Sequence, residues 1–293
     1  MALSIQSTAL KTVSDFMYGR GFSQLLPVVI STLTDPLNHR TGDARVTYNG
    51  CTLSLTKSMI FHKQVALASR YRKAIYIVSP NVRFEPSDRA RTGRHLLEFC
   101  QVDYEMKDAR AHDVMRLSEE LFIEILSRVK ESHEEELERL QRKLRVPRAP
   151  FAAMDSKTLV ARHGKEWERE ESRKASEPFW VTNHDREFYD REDPKSSHDF
   201  LNFDLVYPEG FGEALSGGER EWEYGRILER MKSKNVDPEA YEKYLTIARK
   251  GVLPRTAGAG FGVERLVRFI CGSQDVAEVA PFGKKPGQRN YYF

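Results

Sequence analysis

Apolar residues at Ile5, Ala9, Leu10, Val13, Phe16 and Met17 recur with a helical period and predict a helix over 4–18, stopped by Gly19 and Gly21. Phe22 to Ile30 reads as a strand broken by Pro27, a residue tolerated at a sheet edge or subunit boundary but not in a sheet centre. Asp35 to Asp43 is a turn-rich loop, and Leu53 to Tyr71 reads as a short strand running into a helix. Ala74-Ile75-Tyr76-Ile77-Val78 predicts the next strand. After the polar segment from Pro86 to Gly93, Leu96 to Met106 alternates, with Leu97, Phe99, Gln101, Asp103 and Glu105 on one face. These two runs read as antiparallel strands joined by a long basic loop.

His112 to Arg145 predicts a long, charge-dense helix with Leu117, Leu121, Ile125 and Val129 on one stripe. Beyond Glu131 it is almost wholly polar, so this end is expected to project from the body. The segment 147–198 is the least readable and is taken as an insertion bordering the site. Phe200 to Leu205 and Gly212 to Glu219 predict a hairpin around Pro208-Glu209-Gly210. Helices are predicted over Arg220 to Lys234 and Pro238 to Lys250, with Asp237 as the second one's cap. No internal repeat is visible. The expected fold class is α/β (α+β), an antiparallel sheet flanked by helices, with 1–293 forming a single domain.

Composition narrows the picture only modestly. A chain of 293 residues with 40% hydrophobic positions can build a sizeable core. A net charge of +3 gives no global argument for nucleic-acid binding. Cys51, Cys100 and Cys271 are odd in number and unpaired in spacing, so neither a disulfide framework nor a zinc site is indicated, and each is expected to be a small buried residue. No run approaches membrane-spanning length and no signal-peptide pattern opens the chain, so a soluble, cytoplasmic protein is expected.

The candidate chemistry sits in two stretches. In Gly258-Ala259-Gly260-Phe261-Gly262-Val263-Glu264-Arg265-Leu266, three glycines at every second position bare one face of a strand, on which a flat ring can lie. Glu264 and Arg265 then open an apolar helical run, setting a guanidinium beside that face. The spacing is not the dinucleotide-binding fingerprint. Upstream, Arg83 closes a strand, and Arg89, Arg91, Arg94 and His95 lie in or beside the basic loop. A solvated hairpin tip would explain the loop alone. Asp103 and Glu105 share a sheet face with Gln101, and such a carboxylate pair is costly unless something uses it.

On these residues the chain resembles the class II aminoacyl-tRNA synthetases, in their aspartyl/asparaginyl branch. Gly21-Phe22 to Leu26-Pro27-Val28-Val29 is similar to the first motif, Arg83-Phe84-Glu85 with Arg94-His95-Leu96 to Phe99 to the second, and Gly258 to Arg265 to the third. Leu55-Thr56-Lys57-Ser58-Met59-Ile60-Phe61-His62-Lys63-Gln64 resembles the branch's substrate segment, and Ser216-Gly217-Gly218-Glu219-Arg220-Glu221 a further branch element. The first motif falls within the first two dozen residues, which leaves no room for the branch's anticodon-binding barrel. The resemblance is therefore above all to the branch's archaeal asparagine synthetase paralogue. It implies an ammonia-dependent, AMP-forming asparagine synthetase working on aspartate, ATP and ammonia, as a homodimer through the first motif, with no tRNA partner. The alternatives are an aspartate- or asparagine-activating tRNA ligase-like enzyme and a non-catalytic regulatory paralogue.

The resemblance also assigns roles. Arg83 would bridge the substrate carboxylate and the α-phosphate of ATP, with Arg220 and Asp103 as the other catalytic residues. Glu85, Arg91, Arg94, His95, Leu96, Phe99, Glu213, Gly260, Gly262 and Arg265 would bind ATP. Asp204 and Glu213 would hold Mg²⁺, whose preference is for hard oxygen ligands. Lys63 and Arg220 would clamp a carboxylate of aspartate, with Gln101, Asp103, Gly217 and Gly218 completing the substrate site. If aspartate binds reversed, this clamp holds the α-carboxylate while the side-chain carboxylate is activated. Asp43 or Asp103 would deprotonate ammonium. Ile60 and Arg255 depart from the branch pattern.

Overall fold

The computed structural model describes residues 1–37, 39 and 41–289. Helix α1 (Ala2–Gly19) buries Ile5, Ala9, Val13, Phe16 and Met17, the stripe its period predicts. The chain then gives two short strands in place of the single expected one, β1 (Ser23–Gln24) and β2 (Ile30–Ser31), which join different sheets. With β3 (Arg45–Tyr48) and β4 (Cys51–Leu55), β2 forms a three-stranded sheet in the order β2-β4-β3. Cys51 is exposed there, contrary to the expected burial. Helix α2 (Ile60–Ala66) follows.

Strands β5 (Ala74–Val82) and β6 (Glu98–Lys107) pair antiparallel from Ala74↔Met106 to Val82↔Glu98, the predicted pairing. The expected single long helix is two. Helix α3 (Ala111–Ser132) ends at His133, and α4 (Glu134–Arg139) follows. The far end does not project. Its polar residues have partners: His133 meets Thr8 and Glu136, Leu137 is buried, and Arg142 lies over the Phe211 and Phe269 rings and pairs with Glu209.

The segment 147–198 contributes β7 (Ala152–Asp155), α5 (Ser156–His163), α6 (Trp167–Lys174) and β8 (Phe179–Thr182), then a long irregular stretch. The hairpin β9 (Asn202–Tyr207) and β10 (Gly212–Glu219) matches the sequence pattern, with a register irregularity between Glu213 and Leu215. The first C-terminal helix, α7 (Tyr224–Ser233), starts four residues later than expected because Arg220 bridges to Asp190. Asp237 caps the turn before α8 (Glu242–Arg249) by accepting from the Glu239 N–H, as predicted. β11 (Thr256–Gly262) and α9 (Val263–Cys271) complete the chain's regular elements.

The large sheet has the order β1-β5-β6-β11-β10-β9-β8-β7, antiparallel except at its two edge pairs, β1 with β5 and β7 with β8. Alternation sets its two faces. Val102, Tyr104, Ala257, Ala259, Phe261 and Leu215 face a core shared with α1, α3 and α9. The opposite face carries Gln101, Asp103, Glu105 and the glycines of β11 and is polar. A second apolar cluster around Phe61, Phe188, Tyr241 and Tyr244 packs α2, α7 and α8 together beside that face. No helix among the described residues is long and apolar enough to cross a membrane.

Candidate active site

A cavity of about 480 Å³ opens on the polar face, within the usual range for small-molecule sites. Strand β6 runs along it, so residues two apart reach it from Phe99 through Gln101 to Asp103. This gives the cavity an arginine-rich end near Phe99 and a carboxylate-rich end near Asp103.

At the arginine-rich end, Arg83 follows β5 directly. Its Nε donates to the Lys57 carbonyl (3.0 Å), its terminal nitrogen reaches Gln101 (3.4 Å), and its guanidinium stands 5.1 Å from the Phe99 ring centre. A guanidinium held on two sides by a backbone and an aromatic face is pre-set to meet an anion. Burial alone would raise the Glu85 carboxyl, but the His39 hydrogen bond (2.9 Å) and the charges of His39 and Arg83 outweigh it and hold it below its ordinary value. Burial, with Arg265, Arg94 and Arg89 beside it, drives the His95 imidazole down to about 3. His95 is therefore neutral at physiological pH and offers a hydrogen bond, not a charge. Arg94 pairs with Glu168, and Arg265 meets Glu213 (3.4 Å) and donates to the Arg94 carbonyl (3.1 Å). Glu264 accepts from the Cys100 N–H, and burial pushes its carboxyl up to about 7.

The predicted metal residues converge here. The hydroxyl of Ser216 lies 2.7 Å from Asp204 and 3.0 Å from Glu213, so two carboxylates meet at one hydroxyl. Arg186 and His184 also engage Asp204. The donor set is all oxygen and suits Mg²⁺ if phosphate oxygens and water complete the shell. No group of three or more His, Cys, Asp or Glu residues among the described ones is arranged to hold a metal alone.

At the carboxylate-rich end, Lys63 is buried and bonds Asp103 (2.9 Å) and the Ala259 carbonyl (3.4 Å), with Glu105 at 3.5 Å. Arg220 bonds Glu105 (3.1 Å) and the Gly258 carbonyl (2.9 Å) and stands 3.8 Å from Asp190. The two cations expected to form a clamp are thus already matched by carboxylates. The glycines explain how. A Cβ on Gly258 would fall 2.1 Å from a Glu105 oxygen, and one on Gly260 2.4 Å from an Asp103 oxygen. At these two positions the bare strand face makes room for carboxylates, not for the expected flat ring. Only at Gly262 is the face open, with Arg265 carbons 3.8 Å away.

The cavity gathers Arg83, Glu85, Arg94, His95, Leu96, Phe99, Gln101, Asp103, Lys63, Asp204, Glu213, Gly217, Arg220, Gly260, Gly262 and Arg265. It does not gather three expected residues. Arg91 is exposed on the short 3₁₀ helix Ser87–Thr92, which turns Arg89 inward instead. Gly218 is closed off by Asn202 beneath it. Asp43 is exposed and paired with Arg45 (3.0 Å), outside the cavity lining. Sequence reasoning missed Asp35, Glu168, Arg186, Glu187 and Asp190, all of which line the cavity. Four of these come from 147–198, where no period marks them. The available signal was the density of charge and aromatics over 184–191, more than a solvated loop needs.

The family model of class II tRNA synthetases (D, K and N) matches residues 1–286. The asparagine–tRNA ligase of Thermoplasma acidophilum is 29% identical over 96% of this chain and 68% of its own length. That of Pelotomaculum thermopropionicum is 31% identical, again over 96% and 68%. The crystal structure of asparaginyl-tRNA synthetase from Pyrococcus horikoshii complexed with asparaginyl-adenylate superposes with a TM-score of 0.88 at 25% identity, covering 99% of this chain and 69% of that one. The chain belongs to the class II tRNA synthetases of the D, K and N group.

Proposed function

We propose that this protein activates the carboxylate of asparagine or aspartate with ATP and passes the acyl group to a tRNA-type hydroxyl. The observation that carries the reading is the placing of Arg83 between the two ends of the cavity. It touches Gln101 on the carboxylate-rich side and Phe99 on the arginine-rich side. A carboxylate oxygen of the amino acid would attack the α-phosphorus, and the bond to the β-phosphate oxygen would break to release pyrophosphate. Arg83 and Arg265 would stabilise the charge developing on the α-phosphoryl group, and Arg89, Arg94 and neutral His95 would hold the leaving pyrophosphate. Phe99 and the open strand face at Gly262 would take the adenine. Asp204 and Glu213 would hold Mg²⁺, which supplies further charge neutralisation when bound.

The relatives' names favour a tRNA acceptor over the expected absence of tRNA. Asparagine synthesis from aspartate and ammonia stands as a second reading, favoured by the presence of both Lys63 and Arg220. Against it, the carboxylates around that pair already match its charge. A homodimer through the first motif is supported by the exposed Leu26 (80%) and Val29 (51%). The test is amino-acid-dependent exchange of pyrophosphate into ATP, followed by acceptor trials with tRNA and with ammonium. Exchange with asparagine and aminoacylation of tRNA would support the first reading. Exchange with aspartate alone, and asparagine formed with ammonium, would support the second. No exchange with either amino acid would end both.

A further inference from the structure

Glu187 lines the carboxylate-rich end of the cavity, and its side chain has no hydrogen-bond or ion-pair partner among the described residues. Burial, then the charges of Asp35 and Asp190, push its carboxyl well above the ordinary range, outweighing the opposite pull of Arg186 and Lys234. Asp35 is fixed by neutral donors, Ser58 (2.8 Å) and Tyr189 (3.2 Å), and Asp190 by Asn202 (2.7 Å) together with Arg186 (3.5 Å) and Arg220 (3.8 Å). The cations that act on it are paired elsewhere, Arg186 with Asp204 and Lys234 with Asp185. Lys63 is taken by Asp103 and Glu105, and Arg220 by Glu105 with Asp190. A second acceptor is open in the same cavity: the Oδ2 atom of Asp103 is buried and unpartnered. A buried acceptor without a donor is costly, so Asp103 Oδ2, with the half-buried Glu187 in the same cavity, leaves this end suited to N–H groups.

We propose that Glu187 accepts a hydrogen bond from a nitrogen of the ligand, and so selects ligands presenting an N–H group there over ligands presenting a carboxylate. The nitrogen is either the side-chain amide of asparagine or an ammonium nitrogen, and the two share this chemistry. The inference rests on the activation reading given above. A carboxylate placed beside Glu187 would bring only further acceptors to an end already rich in them, whereas an amide or ammonium supplies the missing donor.

The test is Glu187→Gln, which replaces one acceptor oxygen with an N–H donor at nearly constant shape. The Michaelis constants for asparagine and aspartate are measured by pyrophosphate exchange, and the constant for ammonium by asparagine formation. ATP affinity serves as the control for an intact fold. The expected result is a rise of about tenfold or more for asparagine, with aspartate unchanged or improved and ATP unchanged. A rise confined to ammonium would support the same role with ammonia as the nitrogen source. Equal losses for asparagine and aspartate, or no change in any constant, would overturn the proposal. If the wild-type protein shows no exchange at all, the activation reading fails by itself. Calorimetric titration of asparagine into wild type and variant then decides the inference, with equal binding or no binding overturning it.

Discussion

Lys63 shows how one residue can be legible in kind but not in role. Its position in a substrate-like segment marks it as functional, and a free cation beside a substrate carboxylate is the natural expectation. The fold instead sets it in a buried cluster with Asp103 and Glu105. Removing one member of such a cluster leaves uncompensated buried charge. Lys63→Ala should therefore lower stability by about 3–5 kcal/mol in denaturant unfolding, and Asp103→Asn in the same chain should recover part of that loss. Additive losses would mean the two side chains do not share charge. Arg83 is the contrasting case, since its main fixed contacts are a carbonyl, an amide oxygen and a ring. Arg83→Ala should leave unfolding nearly unchanged yet cut pyrophosphate exchange by about a hundredfold or more. The sequence placed Arg83 at the end of a strand before a basic loop, and the family resemblance gave it its role. It chose Arg91 over Arg89, and the short tight helix Ser87–Thr92 reverses the choice by turning Arg89 inward.

At the scale of elements, local pattern was sufficient wherever one face is apolar and the other is not. Strands β5 and β6, the β9–β10 hairpin and α1 all follow from alternation or helical period. It failed where long-range pairing overrides local propensity. The predicted helix over 112–145 divides at His133, whose ring is held by Thr8 at the far end of the sequence. The segment 147–198 lacks a period because its last third is irregular chain, ordered by contacts such as Arg186 with Asp204 and Asn202 with Asp190. Strand β11 gives the sharpest test of an element's internal logic. At Gly258 an added methyl would strike a Glu105 oxygen and the Tyr104 carbonyl, the latter 2.2 Å away and part of the neighbouring strand's backbone. Gly258→Ala should cost about 1–3 kcal/mol or more in unfolding free energy. Gly262→Ala, with nothing nearer than 3.8 Å, should fold normally and lose only nucleotide affinity. Equal destabilisation of the two would refute the reading of Gly262 as the open part of the strand.

For the molecule as a whole, the two faces of the large sheet oppose each other in energy. The apolar face with α1, α3 and α9 stabilises the fold, while the polar face holds charged groups that folding has pulled from water. Two of these groups give opposite dependences on pH. His95 falls from 6.5 to about 3 through burial and neighbouring arginines, so between those values the unfolded chain binds the extra proton and stability rises with pH. Glu264 rises from 4.5 to about 7 through burial, so across that interval the folded chain binds the extra proton and stability falls as pH rises. From about 4.5 to 6.5 the two slopes oppose, and above 6.5 only the Glu264 loss continues. Glu264→Gln keeps an oxygen to accept from the Cys100 N–H but cannot ionise. Relative to wild type, the variant should gain stability between pH 4 and pH 8, by at most about 3 kcal/mol. Urea unfolding of both proteins at pH 4, 6 and 8 measures this difference, in which the other ionisable groups largely cancel. A constant gap between the two curves would mean that Glu264 titrates alike in the folded and unfolded chain. A gap that opens between pH 4 and 8 would show that the carboxyl beside Arg265 is held protonated by the fold.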